Sequence, residues 1–304
     1  MSGQDAAGPM LVTGGSGQLA VALEQAAGRR HRAVRRVGRP EFDFDRPETV
    51  AAIFAQVRPS LVVNAAAWTA VDLAEANEAA AARANAQGPG LLAQLCASAG
   101  VPMIHVSTDY VFDGEKGAPY VETDPTSPTG VYGATKLAGE QAVLEYCDRA
   151  LVARVSWLFS AFGQNFLQMM LKLADTQPLL KVVDDQRARP TASGDVAGFM
   201  LSQAPRLSRL AAGAPEWGLL HLVNDGVATR FEMAQAIFEL ARPGQPLPAM
   251  QPAPTSAFPT PARRALNCEL DTVKLQGVFG LTLRPWREAL EDTIEDLNAA
   301  SVTA

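Results

Sequence analysis

The short apolar run Leu11-Val-Thr13 leads directly into Gly14-Gly-Ser-Gly17, and Gln18–Ala27 reads as a helix from there. A strand that ends in glycines at a helix start constrains the fold more than any other stretch of this chain. Gly14, Gly17 and Ala20 fit G-x-x-G-x-x-A, while Gly15, Gly17 and Ala20 fit G-x-G-x-x-A. Glycine permits the tight turn and lets a pyrophosphate approach backbone N–H groups. The small Ala20 lets helix and strand pack closely. No Gly-Lys-Ser/Thr follows, which excludes the other common phosphate loop.

The alternation of strand and helix continues. Ala33–Val37 reads as a strand, Glu48–Val57 as a helix, and Ser60–Ala67 as a strand apolar enough to be buried on both faces. Ala74–Ala99 is an alanine-rich helix interrupted at Gly88-Pro-Gly90. Met103–Ser107, Ala150–Ser156 and Leu219–Val223 read as strands, and Leu137–Tyr146 as a helix. This order predicts an α/β fold, a doubly wound parallel sheet with right-handed crossovers. The pattern loosens after about residue 160. Phe166–Ala174 is an amphipathic helix, Lys181–Pro190 an irregular polar stretch, and Trp286–Asn298 helix-like. Residues 243–261, with seven prolines, read as an exposed loop. The expected division is a dinucleotide-binding domain over 9–160, to which 191–225 returns, and a smaller, mostly C-terminal substrate lobe from 161–190 and 226–298.

Composition excludes several functions. A net charge of −6 argues against general nucleic-acid binding, which needs a basic face. No apolar run approaches the ~20 residues that span a bilayer. Met1–Met10 lacks both a basic start and an apolar core, so it reads as a disordered leader rather than a secretory signal. Cys96, Cys147 and Cys268 are sparse and widely separated, which fits reduced thiols in a cytoplasmic protein and offers no metal spacing. His105 and His221 lie in apolar runs and read as core residues, and no metal site is expected.

Two further features carry chemistry. Arg35, Arg36 and Arg39 occupy the end of the second strand, where NAD sites often carry an acid; arginine there suits a 2′-phosphate, hence NADPH. Tyr132 and Lys136 lie four residues apart, just over one helical turn, so both side chains leave one face. A lysine cation beside a phenol favours the phenolate and lowers its pKa, which suggests proton transfer at a substrate oxygen.

The combination of Gly14–Ala20, Asn64–Asp72, Val106-Ser-Thr-Asp-Tyr-Val-Phe-Asp-Gly114 and Tyr132–Lys136 resembles the extended short-chain dehydrogenase/reductases, a Rossmann-type family. Within it the chain is similar to the dTDP-4-dehydrorhamnose reductases. The likeness continues through Arg154–Trp157, Asn165-Phe166, Val183–Gln186, Pro190-Thr191 and Leu270-Asp271 to Pro285-Trp286. It implies NAD(P)H-dependent reduction of the C4 ketone of a dTDP-sugar, dTDP-4-dehydro-6-deoxy-L-mannose, to dTDP-L-rhamnose for cell-surface polysaccharide. NADPH is the expected cofactor and NADH the alternative. The resemblance implies Thr108, Tyr132 and Lys136 as the catalytic triad. It implies Gly14, Gly17, Gln18, Leu19, Asp43, Phe44, Ala65, Ala66, Ala67 and Tyr110 around the cofactor, together with Tyr132 and Lys136. Thr108, Asp109 and Trp157 would meet the substrate sugar. Some relatives hold Mg2+ through glutamates at a homodimer contact; Ala22 occupies one matching position, which puts that metal and that dimer mode in doubt, while a homodimer as such stays open. Arg187, Arg189, Arg263 and Arg264 are candidates for the substrate diphosphate.

Two other readings share the fold. A sugar-nucleotide dehydratase would place an Asp-Glu pair after the catalytic threonine, whereas Asp109 and Tyr110 follow Thr108; another 4-ketoreductase or an epimerase stays open. A non-catalytic subunit similar to the regulatory subunit of methionine adenosyltransferase is the reading without turnover.

Overall fold

A computed structural model describes residues 8–302. Most of the expected leader lies outside the described residues, and its last member, Met10, already belongs to the first strand. The elements that build the main layer, in chain order, are β1 (Met10–Thr13), α1 (Gln18–Arg29), β2 (Val34–Val37), α2 (Pro47–Val57), β3 (Leu61–Asn64), α3 (Gly88–Ala99), β4 (Met103–Thr108), α4 (Val131–Tyr146), β5 (Ala150–Val155), α5 (Ser193–Leu207) and β6 (Gly218–His221). The strands form one parallel sheet in the order β6-β5-β4-β3-β1-β2. This is the expected doubly wound sheet. All residues of β1, β3 and β5 are buried, which explains their largely apolar sequences; the charged member, Arg154 of β5, is paired with Glu140. One core lies under α1 and α5, the other under α2, α3 and α4.

From β1 the chain winds outward to β2, then returns across β1 to form β3 on its other side. Strand order reverses there, so a crevice opens beyond the carboxyl ends of β1 and β3. The strands are registered at that edge by polar side chains. The Thr13 hydroxyl donates to Asn64 Oδ1 at 2.6 Å, and Asn64 Nδ2 donates to His105 Nδ1 at 2.9 Å.

A third, separate core joins Leu167, Met170, Ile237, Phe238, Trp286 and Leu290 from the helices Phe166–Ala174, Arg230–Ala241 and Trp286–Val302.

Three local expectations need correction. The alanine-rich helix is not broken at Gly88-Pro-Gly90. Pro89 lies in the first turn of α3, where a missing N–H costs little. The break falls earlier, between Val71–Ala74 and Glu78–Ala82, and a π-helical turn over Arg83–Gln87 leads into α3. A Cβ on Gly88 would lie 2.2 Å from the Phe44 ring, so that glycine makes room for an aromatic side chain. Second, the proline-rich 243–261 is not all loop. Ala249–Ala253 pairs in parallel with Leu179–Val183, which also gives structure to the stretch read as irregular. A two-stranded ribbon has only edges, so Pro252 is tolerated. Third, α4 begins at Val131, so Tyr132 and Lys136 both lie within the helix.

Candidate active site

The crevice opens into a cleft of about 880 Å³. Its walls include Gly14, Gly17, Gln18 and Leu19 from the glycine turn, Asp43 and Phe44 after β2, and Ala65, Ala66 and Ala67 after β3. Thr108, Asp109 and Tyr110 line it from the end of β4, Tyr132 and Lys136 from α4, and Trp157 from beyond β5. Every residue that the resemblance implies for the triad, the sugar and the cofactor therefore borders one cavity, whereas the diphosphate candidates Arg187, Arg189, Arg263 and Arg264 do not line it.

At the glycine turn, Gly14 has φ +113° and Gly15 φ +54°, and a Cβ on Gly14 would stand 2.9 Å from the Ala65 carbonyl oxygen. Only glycine fits between β1 and the Ala65–Ala67 segment. Helix α1 starts with no side-chain cap and no acidic residue in its first turn. Its first amides and the positive end of its dipole therefore face the crevice without a protein anion. These features fit the pyrophosphate of a dinucleotide.

The arginines in and just after β2 separate. Arg35 is exposed and pairs with Glu41 at 2.7 Å. Arg36 pairs with Glu24 at 2.8 Å and donates to the Gly15 carbonyl. Arg39 lines the cleft beside Asp43.

Tyr132 and Lys136 share a face of α4 that continues to Glu140. Glu140 and Arg154 form a fully buried, bidentate pair at 2.8 and 2.7 Å, which fastens α4 to β5. Gly133 and Gly139 bring α4 close to its neighbours: a Cβ would lie 2.2 Å from the Tyr110 carbonyl oxygen or 1.9 Å from that of Asn85. Lys136 Nζ donates to the Val106 carbonyl at 2.6 Å. Burial lowers its pKa to about 8, with Glu140 opposing. The expected depression of the phenol does not occur. Burial raises the Tyr132 pKa well above the usual phenol range; the Thr108 hydroxyl opposes the shift, and Asp109 and Tyr110 add to it. Desolvation of the phenolate is the largest cause, and Lys136 directs one N–H to the Val106 backbone carbonyl. Tyr132 is thus held as a neutral proton donor. The Tyr110 ring meets it edge-on, with centroids 5.3 Å apart.

The Thr108 hydroxyl donates to Asp109 Oδ1 at 2.9 Å and accepts the Tyr110 N–H at 3.2 Å; Ser156 donates to the other Asp109 oxygen at 2.9 Å. Asp109 is buried, and desolvation raises its pKa to about 6 against the opposing effect of those hydroxyls and Arg230. Trp157 adopts the left-handed region, φ +43°, which turns the chain as it leaves β5.

Sequence reasoning missed two residues at this site. Asn85, in the π-helical turn, accepts the Trp68 N–H at 2.8 Å and donates to Thr135 Oγ1 at 3.1 Å; Thr135 in turn donates to the Tyr132 carbonyl at 3.0 Å. An amide set among the alanines of that helix was the available signal. Arg230 lines the cleft with its guanidinium 3.6 Å from the Trp157 ring centroid. Its signal was the Thr229-x-x-Glu232 capping box, which marks a helix start there. Of the expected diphosphate candidates, Arg189 is occupied by Asp225 and Glu269 at 3.1 Å each, and Arg263 by Glu115 at 2.7 Å.

Fold and cleft together define the class: a doubly wound α/β protein with an anion-receptive first crossover and a Tyr-x-x-x-Lys helix, as in the extended short-chain dehydrogenase/reductases. A family model described as the RmlD substrate binding domain matches residues 9–299. A dTDP-4-dehydrorhamnose reductase of Burkholderia thailandensis is 42% identical over 294 residues, covering 95% of this chain and 98% of the relative. The crystal structure of a dTDP-4-dehydrorhamnose reductase from Clostridium acetobutylicum superposes with a TM-score of 0.88 at 32% identity, covering 95% of this chain and 99% of that one. One from Bacillus anthracis, in complex with NADP, gives 0.87 at 28% identity, covering 96% and 100%. The chain belongs to the dTDP-4-dehydrorhamnose reductase family. Among the described residues no helix is long and apolar enough to cross a membrane.

Proposed function

We propose that the protein reduces the C4 ketone of dTDP-4-dehydro-6-deoxy-L-mannose to dTDP-L-rhamnose with NADPH. The observation that carries this reading is the convergence of Thr108, Tyr132 and Lys136 on one cleft that begins at an uncapped helix N-terminus. A relative with the same reductase name holds NADP. When bound, the dihydronicotinamide supplies the hydride. The chain's own groups do the rest. The neutral Tyr132 phenol gives its proton to the C4 oxygen as negative charge develops there. Thr108 hydrogen-bonds the same oxygen, which requires its hydroxyl to turn from Asp109. Lys136 stabilises the resulting phenolate and holds the nicotinamide ribose. Trp157 and Asp109 position the sugar. Gly14, Gly17, Gln18 and Leu19 hold the pyrophosphate, Ala65–Ala67 the floor beneath it, Tyr110 the nicotinamide side, and Asp43 and Phe44 the adenine. Arg39, free in the cleft, favours the 2′-phosphate of NADPH.

We divide the chain into a dinucleotide-binding domain, residues 9–160 with 191–225, and a substrate lobe, residues 161–190 with 226–298. The separate hydrophobic core around Ile237 and Phe238 supports that division. The reaction belongs to the cytoplasm, where NADPH and nucleotide sugars are made. The test is NADPH consumption with freshly generated dTDP-4-keto-6-deoxy sugars, the product being assigned by NMR. Folded protein that binds NADPH but consumes none with any keto sugar nucleotide would refute the proposal.

A further inference from the structure

The arginines around β2 have different partners. Arg35 is exposed and held by Glu41 at 2.7 Å. Arg39 lines the cleft and, among the described residues, has neither a hydrogen bond nor an ion pair. Arg36 is half-buried and reaches back to the glycine turn. Its Nε donates to Glu24 of α1 at 2.8 Å, and its Nη1 donates to the Gly15 carbonyl oxygen at 2.5 Å. The ion pair is largely open to solvent and adds little to stability. What sets Arg36 apart is its grip on the turn.

Gly15 is held at both of its polar groups. Its N–H donates to the Val37 carbonyl at 2.9 Å, and its carbonyl accepts from Arg36. Gly38 lets β2 come this close, since a Cβ there would lie 2.5 Å from the Gly15 Cα. In a planar trans peptide the carbonyl and the N–H point in opposite directions. The Gly15 carbonyl is bonded to Arg36, so the Ser16 N–H of the same peptide points away from that guanidinium. Ser16 lines the cleft. A half-turn of this peptide would exchange the two groups, and a glycine at φ +54° has the freedom to make it. The N–H attracts a phosphate, whereas a carbonyl oxygen in its place repels one. Arg36 removes that freedom.

We propose that Arg36, seated by Glu24, is a positioning residue for the cofactor pyrophosphate: it holds the Gly15 carbonyl outward, so that the Ser16 N–H meets the pyrophosphate, and it leaves the 2′-phosphate to Arg39. The arginine run expected to read the 2′-phosphate thus divides into two devices. Arg36 acts on NADH and NADPH alike, and Arg39 acts on NADPH alone. The inference rests on the proposed dinucleotide cofactor and is independent of the sugar.

The experiment measures NADPH and NADH affinity by calorimetry for the wild type, Arg36→Met, Arg36→Gln, Arg36→Lys and Arg39→Met. Without its charged donor the turn samples its other form, so Arg36→Met should raise the Kd of both cofactors about 5- to 20-fold, by factors that agree within about twofold. Arg36→Lys, still able to donate to a carbonyl, should recover part of both losses. Arg39→Met should weaken NADPH about 10- to 100-fold and NADH less than about twofold. A merely structural Arg36 would support β2, so its loss would displace Arg39 and change the ratio of NADPH to NADH affinity; a positioning Arg36 leaves that ratio unchanged. Thermal melts identify a variant that fails to fold, and Arg36→Gln, with the same matched losses expected, is the fallback. A loss confined to NADPH, a loss below about threefold for both cofactors in the folded variant, no recovery in Arg36→Lys, or a wild type that fails to bind NADH at millimolar concentration overturns the proposal. The titrations contain no sugar nucleotide. If turnover is absent while the matched losses stand, the proposed reaction fails and the role of Arg36 survives.

Discussion

Lys136 Nζ and the carbonyl oxygen of Val106 are 2.6 Å apart, so α4 is tied by its ammonium group to the strand that presents Thr108. The lysine is buried among few partners, and its pKa falls to about 8 from an ordinary value of 10.5. Tyr132 has moved the other way and stays protonated across the working range.

The alkaline limit of activity should follow from that pair of shifts. Lys136 is cationic below about pH 8 and loses its proton above it. The reductive kcat/KM should therefore decline above about pH 8 although the phenol is still able to donate. A pH–rate profile taken with saturating NADPH reads this, and a flat profile up to pH ~10 would be incompatible with it.

Replacing Tyr132 by phenylalanine removes the proton donor and leaves the ring against Tyr110. Turnover should drop by roughly 10²–10⁴-fold, the usual contribution of a positioned acid. NADPH affinity, measured by fluorescence titration, should stay within about twofold. A parallel loss of cofactor binding would show that the phenol holds the dinucleotide rather than the substrate oxygen.

Asp109 links stability to pH. Its folded pKa is raised to about 6 from 3.8, so the folded state holds the proton more tightly than the unfolded chain. The stabilisation is complete below about pH 3.8 and is lost as pH rises through about 6. Asp109→Asn removes the buried charge. It should gain up to about 3 kcal/mol of unfolding free energy over the wild type at pH 8, an advantage that vanishes near pH 4. Urea unfolding at both pH values is the measurement; an identical difference at the two would rule out the linkage.

The Glu140–Arg154 pair makes a different prediction. Glu140→Ala leaves the Arg154 guanidinium buried against the Phe112 ring, whose centroid is 5.0 Å away, without its carboxylate partner. A broken buried pair costs about 3–5 kcal/mol, whereas replacing both members with apolar residues costs much less. Comparing Glu140→Ala with Glu140→Leu/Arg154→Met by urea unfolding checks this. A single mutant as stable as the wild type would contradict it.

Much of this architecture was legible because it depends on period and punctuation. Leu11–Thr13 and Ser60–Ala67 are apolar without alternation, as strands covered on both faces must be, and the glycines after Thr13 mark the turn into α1. What was misread depends on partners distant in sequence. Pro252 could join a strand only because Leu179–Val183 lies beside it. Gly88 seemed a helix breaker until Phe44 filled the space above it. The direction of the Tyr132 shift was hidden for the same reason, since spacing reveals a neighbouring lysine but not how thoroughly both groups are removed from water. Arg230 became visible only when the fold laid it on Trp157, far away in the chain.

Separate hydrophobic cores give the cleft divided ownership. Tyr132 and Lys136 are carried by a helix packed on the sheet, while Trp157 and Arg230 lean on the cluster around Phe166 and Phe238. Alignment between proton donor and sugar platform is therefore a property of neither half alone. Mild loosening of the smaller half should show first as poor substrate discrimination, well before any loss of cofactor retention or of secondary structure.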